Sequence, residues 1–195
     1  MNIIRHRRNT RAELEQTPRQ YGIEIDIRSQ GNDLILHHDA FVPGERFVDW
    51  LESFRHGTLI LNVKEEGLED RLLSIMKERR IEDFFFLDQS FPFLIKTARR
   101  RESRCAVRIS EFEAIDTCLS LAGMVDWVWV DCFTKFPLTT TDARRLTEAG
   151  FKLCLVSPEL QGRMAPEEVA TMRALLAERE IQAHAVCTKT PELWE

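Results

Sequence analysis

Two rhythms of apolar and polar positions alternate along this chain. Short apolar runs, most of them closed by a polar residue, are separated by stretches in which apolar residues recur every three or four positions. The runs predict strands over Asn2–His6, Gly22–Arg28, Thr58–Lys64, Phe84–Asp88, Cys105–Arg108, Trp127–Asp131, Lys152–Ser157 and His184–Thr188. A further extended run, Asp33–His37, follows the turn Ser29-Gln30-Gly31-Asn32. The helical rhythm covers Thr10–Gln20, Gly44–Phe54, Leu68–Arg79, Phe91–Arg101, Ser110–Ala122, Thr140–Ala149 and Ala165–Arg179. Ser110 stands three positions before Glu113, the spacing of a capping box, and Thr140 or Thr141 is placed to cap the helix that Gly150 would end.

Eight strands alternating with seven helices predict a parallel β/α protein. A doubly wound sheet would more often open on a Gly-rich first turn, and His6-Arg7-Arg8-Asn9-Thr10 has no glycine. The count, and the polar residues repeated at strand ends, favour an α/β fold of the TIM (β/α)8 barrel type, whose sites lie at the C-terminal ends of its strands. Such barrels typically take about 250 residues. At 195 residues the chain fits only as a compact barrel with short loops and an eighth helix that is reduced or missing. We therefore expect one domain spanning residues 1–195, without room for an inserted cap.

Charge and cysteine content narrow the function classes. With 27 Lys and Arg against 32 Asp and Glu, a formal charge of −5 argues against a nucleic-acid binder. Apolar runs of membrane-spanning length are absent, and Met1–Arg8 is basic without the apolar segment of a secretory signal. Five cysteines without paired spacing read as reduced core residues of a cytoplasmic protein.

The chemistry-bearing residues gather early. Glu24 and Asp26 share one strand face, where two carboxylates repel and call for a cation: a divalent metal, or a salt bridge to Arg28, Arg5 or Lys64. His37-His38-Asp39 and His6 close strands, where each histidine alone reads as a polar cap. Taken together, two histidines for acid–base work, two carboxylates for a metal and Arg7 for an anion suit a phosphodiester.

At these residues the chain resembles the glycerophosphodiester phosphodiesterases, as a compact branch of the superfamily that includes phosphatidylinositol-specific phospholipase C. The resemblance is carried by His6-Arg7, Asn9-Thr10, Gly22-Ile23-Glu24-Ile25-Asp26-Ile27-Arg28 and Leu36-His37-His38-Asp39. It implies a TIM barrel with His6 and His38 as the general acid and base, and Arg7 and Lys64 on phosphate. Glu24 and Asp26 would be ligands of Mg²⁺ or Ca²⁺, both hard cations that take oxygen donors. The family's third metal carboxylate is Asn62 here, which lowers the charge of the site, and a glycine of the signature is Arg8. Strand parity turns Glu65 away from the face of Asn62 and Lys64.

Downstream, Arg108 and Arg163 would add positive charge for a phosphate ester. Asp131 with Trp127 and Trp129 would hold a polyol or sugar, unless the tryptophans fill the barrel and Asp131 pairs with Arg108. The function expected is hydrolysis of a soluble glycerophosphodiester-like or sugar or polyol phosphodiester by metal-assisted His acid–base catalysis, with a cyclic phosphate as one route. The alternative is a non-catalytic or weakened barrel that binds a phosphorylated polyol or sugar. A small-molecule substrate is the expected partner, without nucleic acid or membrane; the sequence leaves the oligomeric state open.

Overall fold

Eight parallel strands close into a ring in the computed structural model, which describes residues 1–195 apart from the side chain of Pro166. The ring strands are β1 (Asn2–Arg5), β2 (Gly22–Gln30), β5 (Leu59–Val63), β6 (Phe84–Leu87), β7 (Ala106–Ile109), β8 (Trp127–Val130), β9 (Lys152–Val156) and β10 (Ala185–Thr188). They pair in chain order, and β10 returns to β1 with Ala185 opposite Asn2 and Thr188 opposite Arg5. One seam is thin. Between β6 and β7 a single bridge, Phe86 to Cys105, completes the ring, with the Phe86 N–H donating to the Arg104 carbonyl at 2.9 Å. The barrel expected from the sequence is therefore the fold observed.

Strand parity sorts the apolar residues into two cores. Ile23, Ile25 and Ile27 of β2, with Leu59, Leu61 and Val63 of β5, face outward under the helices. Ile4, Ile60, Phe85, Leu87, Trp127, Trp129, Val156 and Cys187 fill the interior, where Phe85 stacks on Trp127 with ring centroids 4.6 Å apart. A strand buried on both faces reads as a continuous apolar run, which is why these strands stand out in the sequence. Gly22 is needed where the strands crowd, since a Cβ there would meet the Thr58 carbonyl oxygen at 2.6 Å.

The helices are α1 (Arg11–Glu15), α2 (Phe47–Trp50), α3 (Glu69–Arg79), α4 (Phe91–Arg99), α5 (Ile115–Leu119), α6 (Thr140–Glu148) and α7 (Pro166–Glu178). An eighth is reduced to a 3₁₀ turn, Pro191–Leu193, and among the described residues no helix is long and apolar enough to cross a membrane. Two antiparallel strands, β3 (Asp33–Leu36) and β4 (Glu45–Arg46), extend β2 beyond the ring. β4 falls at the start of the predicted helix Gly44–Phe54, which shortens to α2.

Another correction concerns Ser110. Its hydroxyl donates to Glu113 and accepts the Phe112 N–H, closing a turn ahead of the helix, while α5 starts at Ile115 from Ala114 without a side-chain cap. Thr139, rather than Thr140 or Thr141, caps α6, in a full box with Asp142. Gly150 follows that helix with a φ of +92°, as expected. Thr10 and Glu13 form a second box on α1. Thr10→Ala is expected to cost about 1 kcal/mol, read as a lower urea midpoint at unchanged m-value.

Candidate active site

β1, β2 and β5 deliver adjoining inward side chains to the C-terminal mouth of the barrel. Parity points Glu24 and Asp26 of β2 inward, and the β2–β5 register sets Asp26 beside Asn62. Both carboxylates are fully buried. The Asn62 amide donates to Glu24 Oε1 at 2.8 Å, and the backbone N–H of Arg7 donates to Glu24 Oε2 at 2.8 Å. Arg7 adopts a left-handed φ of +49°, a conformation unfavourable for a side-chain-bearing residue and often found at functional sites.

The rest of the loop is stitched to the same strand. The Arg8 N–H donates to the Glu24 carbonyl, and Asn9 both donates to Asp26 Oδ2 and accepts the Asp26 N–H, each at 2.9 Å. Trp50 of α2 supports this loop by donating its indole N–H to the Arg8 carbonyl at 2.9 Å. The conjunction Asn9-Thr10 thus has a local reason: Asn9 fixes Asp26 while Thr10 begins α1.

Charge is unevenly compensated here. Burial, and then the Asp26 charge, raises the Glu24 pKa above the usual carboxylate range. Asp26 lies 3.2 Å from Lys64 Nζ and 3.4 Å from Arg7 Nε. These are charge contacts without hydrogen-bond geometry, since Asp26 Oδ1 and Arg7 Nε remain buried and unbonded. Of the salt-bridge partners the sequence offered, Lys64 is the one that meets Asp26. Arg28 instead faces Glu65 at 3.6 Å. His6 Nε2 sits 3.8 Å from Glu24 Oε2. Burial first, and then the charges of Arg7, Lys189, Lys64 and Arg8, lower the His6 pKa to about 3. Its imidazole is neutral near pH 7, so its approach to Glu24 is no ion pair.

The polar chain continues around the mouth. Lys64 also contacts Asp88 at 3.2 Å, and Asp88 pairs with Arg108. Burial pushes the Asp88 pKa up, but Arg108 and Lys64 together hold it below its ordinary value. Arg108 lies 4.0 Å from Asp131, which accepts from Gln161 at 2.6 Å and from the Cys132 N–H at 3.0 Å. For Asp131 burial outweighs Arg108, and its pKa is raised. The pairing of Asp131 with Arg108 is therefore long rather than close. Asp88 stands in the sequence without a role, and Gln161 carried no signal at all; their joining function depends on the closed ring.

The remaining sequence candidates lie apart from this chain of contacts. His38 is on the loop after β3, its side chain 41% exposed and its Nδ1 2.7 Å from Asp39 Oδ1. Arg28 holds the His38 carbonyl through two donors. Among the described residues, the hydrogen bonds and ion pairs of His38 do not extend to His6, Glu24 or Asp26. Trp129 is buried in the inner core beneath Asp131, which places it with the barrel filling. Arg163 pairs with Glu168 at 2.5 Å and donates to the Cys132 carbonyl. Glu65 bonds Ser29 and Glu66 bonds Ser90, so neither supplies the carboxylate that Asn62 lacks.

No group of three or more His, Cys, Asp or Glu side chains is arranged for a metal among the described residues. The oxygens nevertheless suit a hard cation in kind. Asp26 Oδ1 and Asn62 Oδ1 are both buried acceptors without a hydrogen bond, beside the Glu24 carboxylate. The donor set fits a divalent cation, with one carboxylate fewer than the sequence resemblance implies.

No family model matches the chain, and no curated protein does either. Solved structures do match in fold. A glycerophosphodiester phosphodiesterase from Agrobacterium tumefaciens is 14% identical, with a TM-score of 0.65 over 99% of this chain and 98% of that one. A glycerophosphoryl diester phosphodiesterase from Parabacteroides distasonis is 12% identical, with a TM-score of 0.65 over 98% of this chain and 84% of that one. The resemblance read at residues 2–40 thus has its counterpart in a fold shared along nearly the whole chain.

Proposed function

We propose that this barrel is a phosphodiesterase acting on a small diester that carries a hydroxyl next to the phosphate. The observation that carries the reading is the gathering of His6 beside the buried Glu24, and of Arg7 and Lys64 on the buried Asp26, at one end of the barrel. His6 takes the proton of the substrate's vicinal hydroxyl as its oxygen bonds to phosphorus. The bond from phosphorus to the leaving oxygen breaks, and that oxygen receives a proton from His38. The products are a cyclic phosphate and an alcohol, and water then opens the ring with the proton roles reversed. Asp39 fixes the His38 ring through Nδ1 and leaves Nε2 for the transfer. Arg7, Lys64 and Arg108 offset the charge gathering on the phosphoryl oxygens.

Glu24, Asp26 and Asn62 would hold a divalent cation, Mg²⁺ or Ca²⁺, which supplies further charge neutralisation when bound. Lys64 and Arg7 already offset part of the Asp26 charge, so binding should be weak. Asn62→Glu restores the third carboxylate and is expected to tighten Mg²⁺ or Ca²⁺ binding about tenfold or more, measured by isothermal titration. Unchanged affinity would remove Asn62 from the ligand set.

A second reading has its own observation. It is a barrel that binds a phosphorylated polyol or sugar without turning it over, supported by Asn62 in place of a carboxylate and by the contacts of Lys64 and Arg7 with Asp26. In that case phosphate esters bind and diesters stay intact. The five free, buried cysteines agree with a cytoplasmic setting for either reading.

A further inference from the structure

A cleft of about 560 Å³ opens over the thin seam between β6 and β7. The reason is local. The ladder there is a single bridge, and α5, at five residues, is too short to cover it. Asp88 and Arg108 line the cleft and also belong to the charge chain of the mouth, so the two spaces share an edge. Away from that edge the walls are mixed: Leu94 of α4 is buried and Phe91 and Phe112 stand 48% and 77% exposed, with Glu113 and Thr117 among them.

Gln89 is fixed at one end of the cleft. It lines the cleft, and its amide donates to Glu69 at 3.1 Å and to Thr97 at 2.9 Å. Its Oε1 is buried and accepts no hydrogen bond. Reversing the amide would turn Oε1 onto the Glu69 carboxylate, so the orientation is fixed by chemistry. Gln89 also borders a second, smaller cleft beside Lys64 and Glu69, so it stands between the two spaces.

We propose that this cleft binds the alcohol side of the substrate, and that this alcohol has an aromatic or alkyl body that lies against Phe91, Leu94 and Phe112. The inference rests on the phosphodiesterase reading and gives the site a leaving-group preference. With the phosphate at Arg108, the alcohol would extend over the seam between Phe91 and Phe112. A methyl ester would leave the cleft unused.

The test compares two glycerophosphodiesters, one releasing methanol and the other 2-(4-hydroxyphenyl)ethanol. Ala114→Trp and, separately, Thr117→Trp fill the cleft from α5 and its cap without touching the mouth. Each is expected to raise KM for the aryl diester about tenfold, the scale of a lost apolar contact, with the methyl diester unchanged. Free 2-(4-hydroxyphenyl)ethanol, titrated by NMR, should bind the wild-type chain saturably and neither filled variant. Equal KM shifts for both diesters, absence of saturable binding, or binding that survives both substitutions would overturn the proposal. If neither diester is cleaved, the reaction reading fails, and the alcohol titration alone then decides the cleft.

Discussion

His6→Ala is expected to lower kcat for a glycerophosphodiester by about 10²–10⁴-fold, the range for removing a general acid or base. The ring is buried and neutral near pH 7, with its Nε2 3.8 Å from Glu24 Oε2 at the mouth. Its removal should leave the barrel closed, because the bond that ties this residue to β10 is the backbone N–H of His6 to the Thr188 carbonyl, at 3.0 Å. The variant therefore separates chemistry from folding. A kcat within about twofold of wild type, outside the range for acid–base catalysis, would exclude His6 from the proton transfers. His38→Ala, read alongside, tests the partner that lies apart in this structure.

The second large effect concerns stability. Trp50 is fully buried, stacked between Phe47 and Phe54 at centroid distances of 6.3 and 5.6 Å. Trp50→Ala is expected to cost about 3–5 kcal/mol through the lost burial and the cavity left behind. The unpaired Arg8 carbonyl adds about 1 kcal/mol. The same bond supports the loop that places Arg7 on Glu24, so activity should fall in the folded fraction too. Trp50→Phe keeps a ring and loses the N–H, and should cost much less. Urea unfolding of the pair gives the comparison; equal losses would mean that the hydrogen bond, rather than the packing, dominates.

The strands of this fold are legible because parallel strands must be apolar on both faces. Each of the eight ring strands lies within a residue or two of a run visible in the sequence. The helices are less legible, since a turn can continue an amphipathic pattern. Ser110-Glu111-Phe112-Glu113 has the spacing of a helix start, yet its hydroxyl closes a turn and α5 begins later. β4 is hidden for the same reason, inside a stretch with helical spacing.

At the site, parity alone pairs Glu24 with Asp26 and turns Glu65 away, because side chains alternate along a strand. The links from Lys64 through Asp88 to Arg108 depend on register between strands far apart in the chain, which composition and period do not encode. Gln89 was invisible for a different reason: an unpaired amide oxygen appears only once every neighbour is in place.

The most direct measurement is ³¹P NMR of a glycerophosphodiester incubated with the wild-type chain in Mg²⁺ or Ca²⁺, and with His6→Ala in parallel. The account predicts that the diester resonance gives way to a cyclic phosphate and then a monoester with wild type, and persists with the variant. A diester left intact by the wild-type chain in both metals, or lost equally with His6→Ala, would contradict it.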